Sequence, residues 1–179
     1  SKIMTKKAFE NAVVVASAIG GSSNATTHLL AIAKHMGIKF DLSNWQKLGH
    51  KIPLLVDCQP AGKYLMEGFY KAGGIPAVMK ELIKNKKLNT KVKTVTGKNL
   101  GENLKSKIKV NSKVIKTFKK NLSQNAGFLV LRGNFFNSAI MKTSVISDEF
   151  KKRYLSDPDR PNSFICKAVV FEGPEDYHK

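Results

Sequence analysis

The sequence predicts an α/β fold, and three observations carry that prediction. Up to about residue 105, apolar residues recur at helical spacing. One short apolar run with β-branched residues, Ile52-Pro53-Leu54-Leu55-Val56, is bounded by polar groups and reads as a buried strand. Beyond about residue 125 the apolar runs become strand-like instead, so the chain changes from helix-rich to strand-rich.

The elements follow in order. Thr5 is an N-cap for a helix carrying Ala8, Phe9, Ala12, Val13, Ala16 and Ile19, which ends at Gly20-Gly21. A second helix has Ala25, Leu29, Ile32, Ala33 and Met36 on its apolar face and Gly37 as its stop. Asp41 or Ser43 caps a short helix that reaches about Leu48 and stops at Gly49. The Ile52–Val56 strand leads to Asp57, Cys58 and Gln59 and then to the turn Pro60-Ala61-Gly62-Lys63. Tyr64 to Ala72 reads as a helix, broken by Gly73-Gly74. Pro76 then fits the first turn of the next helix, which runs to Leu82 or slightly beyond. Lys84-Asn85-Lys86-Lys87 is a solvated helix end, where cations suit the dipole. Leu100 to Leu104 adds one or two helical turns. From about Ser106 to Gln124 the Lys-, Asn- and Ser-rich composition predicts a linker or long surface connection. Phe128 to Phe135 reads as a strand and turn, Ala139 to Ile146 as a second strand and Phe150 to Leu155 as a short helix. Pro158, Pro161 and Asn162 mark a loop, and Ile165 to Phe171 reads as a third strand.

Composition narrows the function classes. The 179 residues carry a net charge of +18, mostly from lysine, with a concentration between Lys80 and Lys120. Such a balance suits either a phosphate-neutralising surface or a solvated Lys-rich one. No basic stretch is interleaved with aromatics, and no zinc-finger or RNA-binding signature occurs. The two cysteines, Cys58 and Cys166, form no CxxC and no complete zinc or iron–sulfur ligand set; a disulfide between them stays open. No apolar run is long enough to span a bilayer, and Ser1 to Thr5 is not a signal peptide. The abrupt start suggests a piece of something longer.

One stretch concentrates the site signals. Gly20-Gly21-Ser22-Ser23-Asn24 joins two helices through small and polar residues only. It reads either as a well-capped turn or as a helix start whose free N–H groups point outward to an anion. Asp57, Cys58 and Gln59 lie at the end of the predicted strand, where α/β folds place ligands, and form a candidate site wall or an ordinary turn. His28 and His35 are seven apart on one helix face, without the four-residue spacing and third ligand of a metal site. Thr94-Val95-Thr96-Gly97-Lys98 lacks the phosphate-loop pattern.

Several blocks together resemble the dihydroxy-acid dehydratase and phosphogluconate dehydratase family. Ala18-Ile19-Gly20-Gly21-Ser22-Ser23-Asn24-Ala25 with His28 to Ala33 is similar to its GGSTNA…HLLAIA block. Pro60 to Glu67 and Ala72 to Met79 are similar to its PSGKYLMED…AGGVPAVM block. Thr94 to Lys98 with Glu102-Asn103, Val130 to Asn134, and Ala168 to Gly173 resemble its TVTGKTLAEN, LRGN and ARVFDG segments. The blocks stand in family order and touch most of the chain, least between Ser106 and Gln124. Tyr154 to Pro158 and Val170 to His178 resemble the sugar-acid (aldonate, arabinonate-like) members more than the branched-chain amino-acid enzyme.

The resemblance implies dehydration of a 2,3-dihydroxy acid to a 2-keto acid by a cytoplasmic enzyme that is a homo-oligomer, commonly a dimer or tetramer. It implies an iron–sulfur cluster, with the two-iron type favoured, and a Mg²⁺ ion; a metal takes the charge of the departing hydroxide. The family's cluster cysteines and most Mg²⁺ ligands lie in blocks upstream of those matched here, and its last metal-binding glutamate and its catalytic serine lie downstream. No catalytic and no metal residue is therefore carried over. The chain reads as the middle third of such an enzyme, inactive in isolation, with the remainder of the parent polypeptide as partner. Residues 1–105 would end an N-terminal α/β domain with helices around a parallel sheet. Residues 106–124 would form a Lys-rich connection, and 125–179 the first strands of a C-terminal β-barrel domain. Gly21, Ser22, Ser23 and Asn24 are expected to form a wall of the substrate pocket. The competing reading is a small basic nucleic-acid-binding protein.

Overall fold

The computed structural model describes residues 2–125, 127–134, 137–160, 163, 165 and 167–178. Seven α-helices and one two-stranded sheet form among them: α1 Lys6–Ala18, α2 Asn24–His35, α3 Leu42–Gly49, α4 Met66–Lys71, α5 Gly74–Lys84, α6 Leu100–Asn103, β1 Phe128–Leu131, β2 Ala139–Lys142 and α7 Asp148–Tyr154. The chain divides into two compact units, residues 1–145 and 146–179. This division does not coincide with the expected boundaries at 105 and 125.

α1 is the spine of the first unit. Thr5 caps it by accepting from the Ala8 N–H, and Gly20, at φ +63°, follows its end. The helix serves two apolar clusters at once. Val14 and Ala18 pack with Ile52, Leu55, Val56, Phe69, Val78 and Leu82 in one. Phe9 and Val13 pack with Ala33, Phe40, Trp45 and Phe128 in the other. Clusters of this kind supply most of the stability of short helices such as α3 and α4, which would not persist alone.

Caps set the boundaries as the sequence suggests for most helices. Asp41 and Asn44 form a reciprocal capping box on α3, and Asn99 and Glu102 another on α6. Gly37, at φ +67°, follows the end of α2, where the Ile38 N–H returns to the Ala33 carbonyl at 2.8 Å. Pro76 lies in the first turn of α5. Three expectations shift. α4 begins at Met66 rather than Tyr64, because the Tyr64 backbone is engaged with Asp57 and Gln59 instead. Ile32 of α2 and Met36, its C-cap, are exposed, and Thr26 and Ala33 are the helix's buried positions. The Ala139 strand stops at Lys142 and passes into a 3₁₀ turn, Thr143–Val145.

The parallel sheet expected around Ile52–Val56 is absent among the described residues. The segment is extended and fully buried, but it pairs through single bridges, Leu54 with Ser123 and Val56 with Ile115, both antiparallel. Its backbone is satisfied piecemeal: Leu55 N–H donates to the Ala18 carbonyl, Asp57 N–H to Val114 and Lys116 N–H to Leu55. The stretch expected as a surface connection is therefore docked. Val114 and Ile115 are core residues, and the Phe118 N–H donates to Glu81 Oε1 at 2.9 Å. Its lysines 107, 109, 113, 119 and 120 remain exposed, which is why composition alone suggests a solvated linker.

β1 and β2 pair antiparallel, Phe128 opposite Lys142 and Leu131 opposite Ala139. β1 is held to α3 by Gln46 Oε1, which accepts from the Val130 N–H at 2.7 Å. In the second unit Ser147 caps α7 through the Phe150 N–H, and Arg153 lies over the Tyr154 ring. The expected third strand does not form at residues 165 and 167–171: Ile165, Val169 and Val170 are exposed and have no ladder partner among the described residues. A strand needs a neighbour for its backbone groups and cover for its apolar face. Phe135, Pro161, Asn162 and Cys166 lie outside the described residues.

Candidate functional site

The glycine–serine joint opens onto a cavity of about 600 Å³. Gly20, Gly21, Ser22 and Ser23 line one side of it, and Cys58, Gln59, Pro60 and Met66 line another. Lys142 and Val145, from β2 and the turn that follows, complete it.

The local sequence explains how the joint comes to face a cavity. The Gly20 N–H donates to the Ser17 carbonyl and the Gly21 N–H to Ala16, so both glycines close α1. A Cβ on Gly20 would stand 2.9 Å from Leu54 Cδ1, which ties the joint directly to the buried extended segment. At α2 the expectation of outward N–H donors fails for the first three helical residues. Asn24 N–H donates to Ser22 Oγ at 3.2 Å, and Ala25 and Thr26 donate to the Ser22 and Ser23 carbonyls. Ser23 occupies the cap position in helical conformation and makes no side-chain capping bond. The joint is thus a locally satisfied turn with three of the four expected residues, Gly21, Ser22 and Ser23, on the cavity wall. Asn24 is exposed and is not part of the lining.

The opposite wall is built by the loop from Asp57 to Tyr64. Asp57 Oδ1 accepts from the Lys63 N–H at 2.8 Å, and the Gln59 N–H donates to the Tyr64 carbonyl at 2.8 Å. Gly62 is required here: a Cβ would lie 2.4 Å from the Cys58 backbone nitrogen. The Gln59–Pro60 peptide is cis. Asp57 is therefore spent on holding the loop, while Cys58 and Gln59 reach the cavity, so two of the three candidate wall residues meet it. The Cys58 thiol is buried and contacts Met66 Sδ at 3.5 Å.

Lys142 is the residue that sequence reasoning missed. It bears the only charge among the described lining residues, and its surroundings are apolar enough that desolvation lowers its pKa from the ordinary lysine value. Nothing in the pattern Ala139-Ile140-Met141-Lys142 announces this, because the sheet places the side chain, not the local spacing. Next to it, Ser144 Oγ is buried without a hydrogen-bond partner among the described residues and lies near Gly20.

The remaining candidates stay apart from this cavity. His28 and His35 are exposed on α2. Thr94 to Lys98 forms a tight turn, with the Thr94 N–H on the Lys98 carbonyl and Gly97 at φ +79°. A larger, more open cleft of about 1070 Å³ borders α2, α3 and β1 and contains Lys34, Lys39 and Arg132, but also Asp41. None of Gly20 to Asn24 reaches it. Among the described residues no three His, Cys, Asp or Glu side chains come close enough to hold a metal ion, and no helix is long and apolar enough to cross a membrane.

Residues 1–103 match the family model for the dihydroxy-acid/6-phosphogluconate dehydratase N-terminal region. The chain is 49% identical over 177 residues to D-xylonate dehydratase of Caulobacter vibrioides, covering 99% of this chain and 30% of that protein. It is 41% identical over 180 residues to L-arabinonate dehydratase of Rhizobium leguminosarum bv. trifolii, at 99% and 29% coverage. It is 37% identical over 180 residues to a dihydroxy-acid dehydratase of Synechocystis, at 98% and 30%. The chain spans about three-tenths of the length of these curated relatives.

Proposed function

The chain belongs to the dihydroxy-acid/6-phosphogluconate dehydratase family, and from that membership we propose that it is part of a hydro-lyase acting on a sugar acid. The reaction removes water from a 2,3-dihydroxy acid: the C2 proton and the C3 hydroxide leave, and the enol tautomerises to a 2-keto-3-deoxy acid. An aldonate substrate is favoured over a branched-chain dihydroxy acid, because among the relatives matched over at least 98% of the chain those named for aldonates are 49%, 41% and 38% identical and the dihydroxy-acid dehydratase is 37% identical.

One observation carries the site assignment. Residues from two separate family blocks, Gly20 to Ser23 from one and Pro60 and Met66 from the other, converge on one cavity although they are far apart in sequence. We assign Gly21, Ser22 and Ser23 to the wall of the substrate pocket, with Asn24 behind them as the residue that fixes Ser22.

The iron–sulfur cluster and Mg²⁺ implied by the resemblance do not fit the donors among the described residues, where no three His, Cys, Asp or Glu side chains come together. A cluster needs several thiolates, and Cys58 is buried against a thioether with no second thiol among the described residues around it. Their ligands are assigned to the rest of a longer polypeptide, in a cytoplasmic homo-oligomer, and this chain's share is to bind and orient the acid. By the same reading the isolated chain has no dehydratase activity. Residues 125–179, as the beginning of a β-barrel domain, belong to this reading as well.

The test is 2-keto acid formation by the full-length polypeptide that carries this chain, offered D-xylonate, L-arabinonate and a branched-chain 2,3-dihydroxy acid. Turnover of an aldonate is expected. No 2-keto acid from any of the three overturns the assignment.

A further inference from the structure

Among the described residues that line the cavity, one charge has no opposite charge beside it. Its described lining includes two serines, a glutamine and a lysine, but no carboxylate. Among the described residues no Asp or Glu comes within ion-pair distance of Lys142, whereas the ion pairs that do form are Lys71–Glu67, Lys151–Asp148 and Arg160–Asp157, all between neighbours on the surface. A half-buried ammonium without a counter-ion carries a desolvation cost that an anion entering the cavity would offset. The cavity's volume is in the range that holds a small polar ligand.

We propose that Lys142 is the acid-recognition residue of this pocket, its ammonium pairing with the carboxylate of the substrate while Ser22, Ser23 and Gln59 face the hydroxylated carbons. This rests on the reading of the cavity as the substrate pocket. The Lys142 position favours the role: β2 ends there, and its pairing with Phe128 anchors the backbone to the core beneath Trp45. The stem can pack along the apolar wall of Val56 and Phe69 while the head reaches the polar side.

The assignment predicts discrimination by charge. Calorimetric binding to the full-length polypeptide, with D-xylonate and its neutral alcohol xylitol as probes, reads it without turnover. Xylonate should bind and xylitol should not at the same concentration. Lys142→Gln should weaken xylonate roughly tenfold or more, the size expected when a charge-assisted hydrogen bond is lost. Lys142→Arg keeps the charge and should stay within about threefold. If Lys142→Gln does not fold, by circular dichroism, the contrast between the two probes and the Lys142→Arg variant decides. Equal binding of xylonate and xylitol, or of xylonate by wild type and Lys142→Gln, overturns the proposal. If the full-length protein makes 2-keto acid and Lys142→Gln leaves KM unchanged, Lys142 fails and the dehydratase reading stands. If no 2-keto acid forms but xylonate binds in a Lys142-dependent way, the reverse holds.

Discussion

The side-chain amide of Asn11 holds the backbone of Asn89 at both ends. Asn11 Nδ2 donates to the Asn89 carbonyl at 3.0 Å, and the Asn89 N–H donates to Asn11 Oδ1 at 2.8 Å. Asn11 is 5% exposed, on the middle of α1, and Asn89 follows α5. A buried polar residue in a helix is tolerated when both of its functions are used, as they are here on the Asn89 backbone.

Asn11→Ala should therefore cost about 1–3 kcal/mol, because it leaves a backbone donor and acceptor without partners. Asn11→Asp should also destabilise, since it loses the donor to the Asn89 carbonyl and brings a charge into the core. Urea unfolding of the chain reads both, and a cost below about 0.5 kcal/mol for Asn11→Ala would mean that Asn89 finds water instead.

The second cluster is closed by Trp45 and Phe128, whose rings meet edge to face at 5.0 Å and 88°. Both are essentially inaccessible to solvent. Phe128→Ala should cost about 3–5 kcal/mol and loosen β1 from α3. In a double-mutant cycle, Trp45→Leu with Phe128→Leu should show a coupling of about 0.5–1.5 kcal/mol. Additive losses would show that the two rings merely share a cluster.

Two glycines with positive φ separate strain from crowding. At Gly37, φ +67°, a Cβ would meet nothing within 4 Å. At Gly20, φ +63°, it would meet Leu54 Cδ1 at 2.9 Å. Gly37→Ala should cost about 1 kcal/mol from backbone conformation alone. Gly20→Ala should cost distinctly more and should weaken ligand binding in the adjoining cavity, while Gly37→Ala leaves binding unchanged. Equal stability losses would count against the Leu54 contact.

Asp41 caps α3, and hydrogen bonds from the Ser43 hydroxyl first, then from the Ser43 and Asn44 backbones, with Arg132 nearby, hold its pKa below the ordinary carboxylate value. The native state thus binds a proton at Asp41 less readily than the unfolded chain does. The resulting stability is present above the unfolded value and is lost as pH falls through the lowered folded value. Asp41→Ala should cost about 0.5–2 kcal/mol at neutral pH. The gap between variant and wild type should narrow as pH drops below the ordinary carboxylate range, and a gap independent of pH would remove the charge from the explanation.

Much of this fold is legible in the residues because it is locally determined. Thr5, Asp41 and Asn99 cap helices through bonds that span two or three residues, and Gly20, Gly37 and Gly97 take positive φ where a turn requires it. Such features need no distant partner. The family likeness is of the same kind, since it rests on residue order, and it singles out the joint at Gly20 to Ser23.

The errors have one physical source. Residues 106–124 look solvated because lysines outnumber apolar residues, yet Val114 and Ile115 are buried by Val56 and Leu55, more than fifty positions away. Ile52–Val56 looks like a sheet strand, but the loops and bridges around it satisfy its backbone without a sheet. Lys142 has no local mark of function at all. By itself the sequence determined the order of the helices, most of their ends and the family, because caps, periodicity and motif order are short-range. Only the tertiary structure decided that Gly21, Cys58 and Lys142 share a cavity, because burial and desolvation depend on which distant segments the chain folds together.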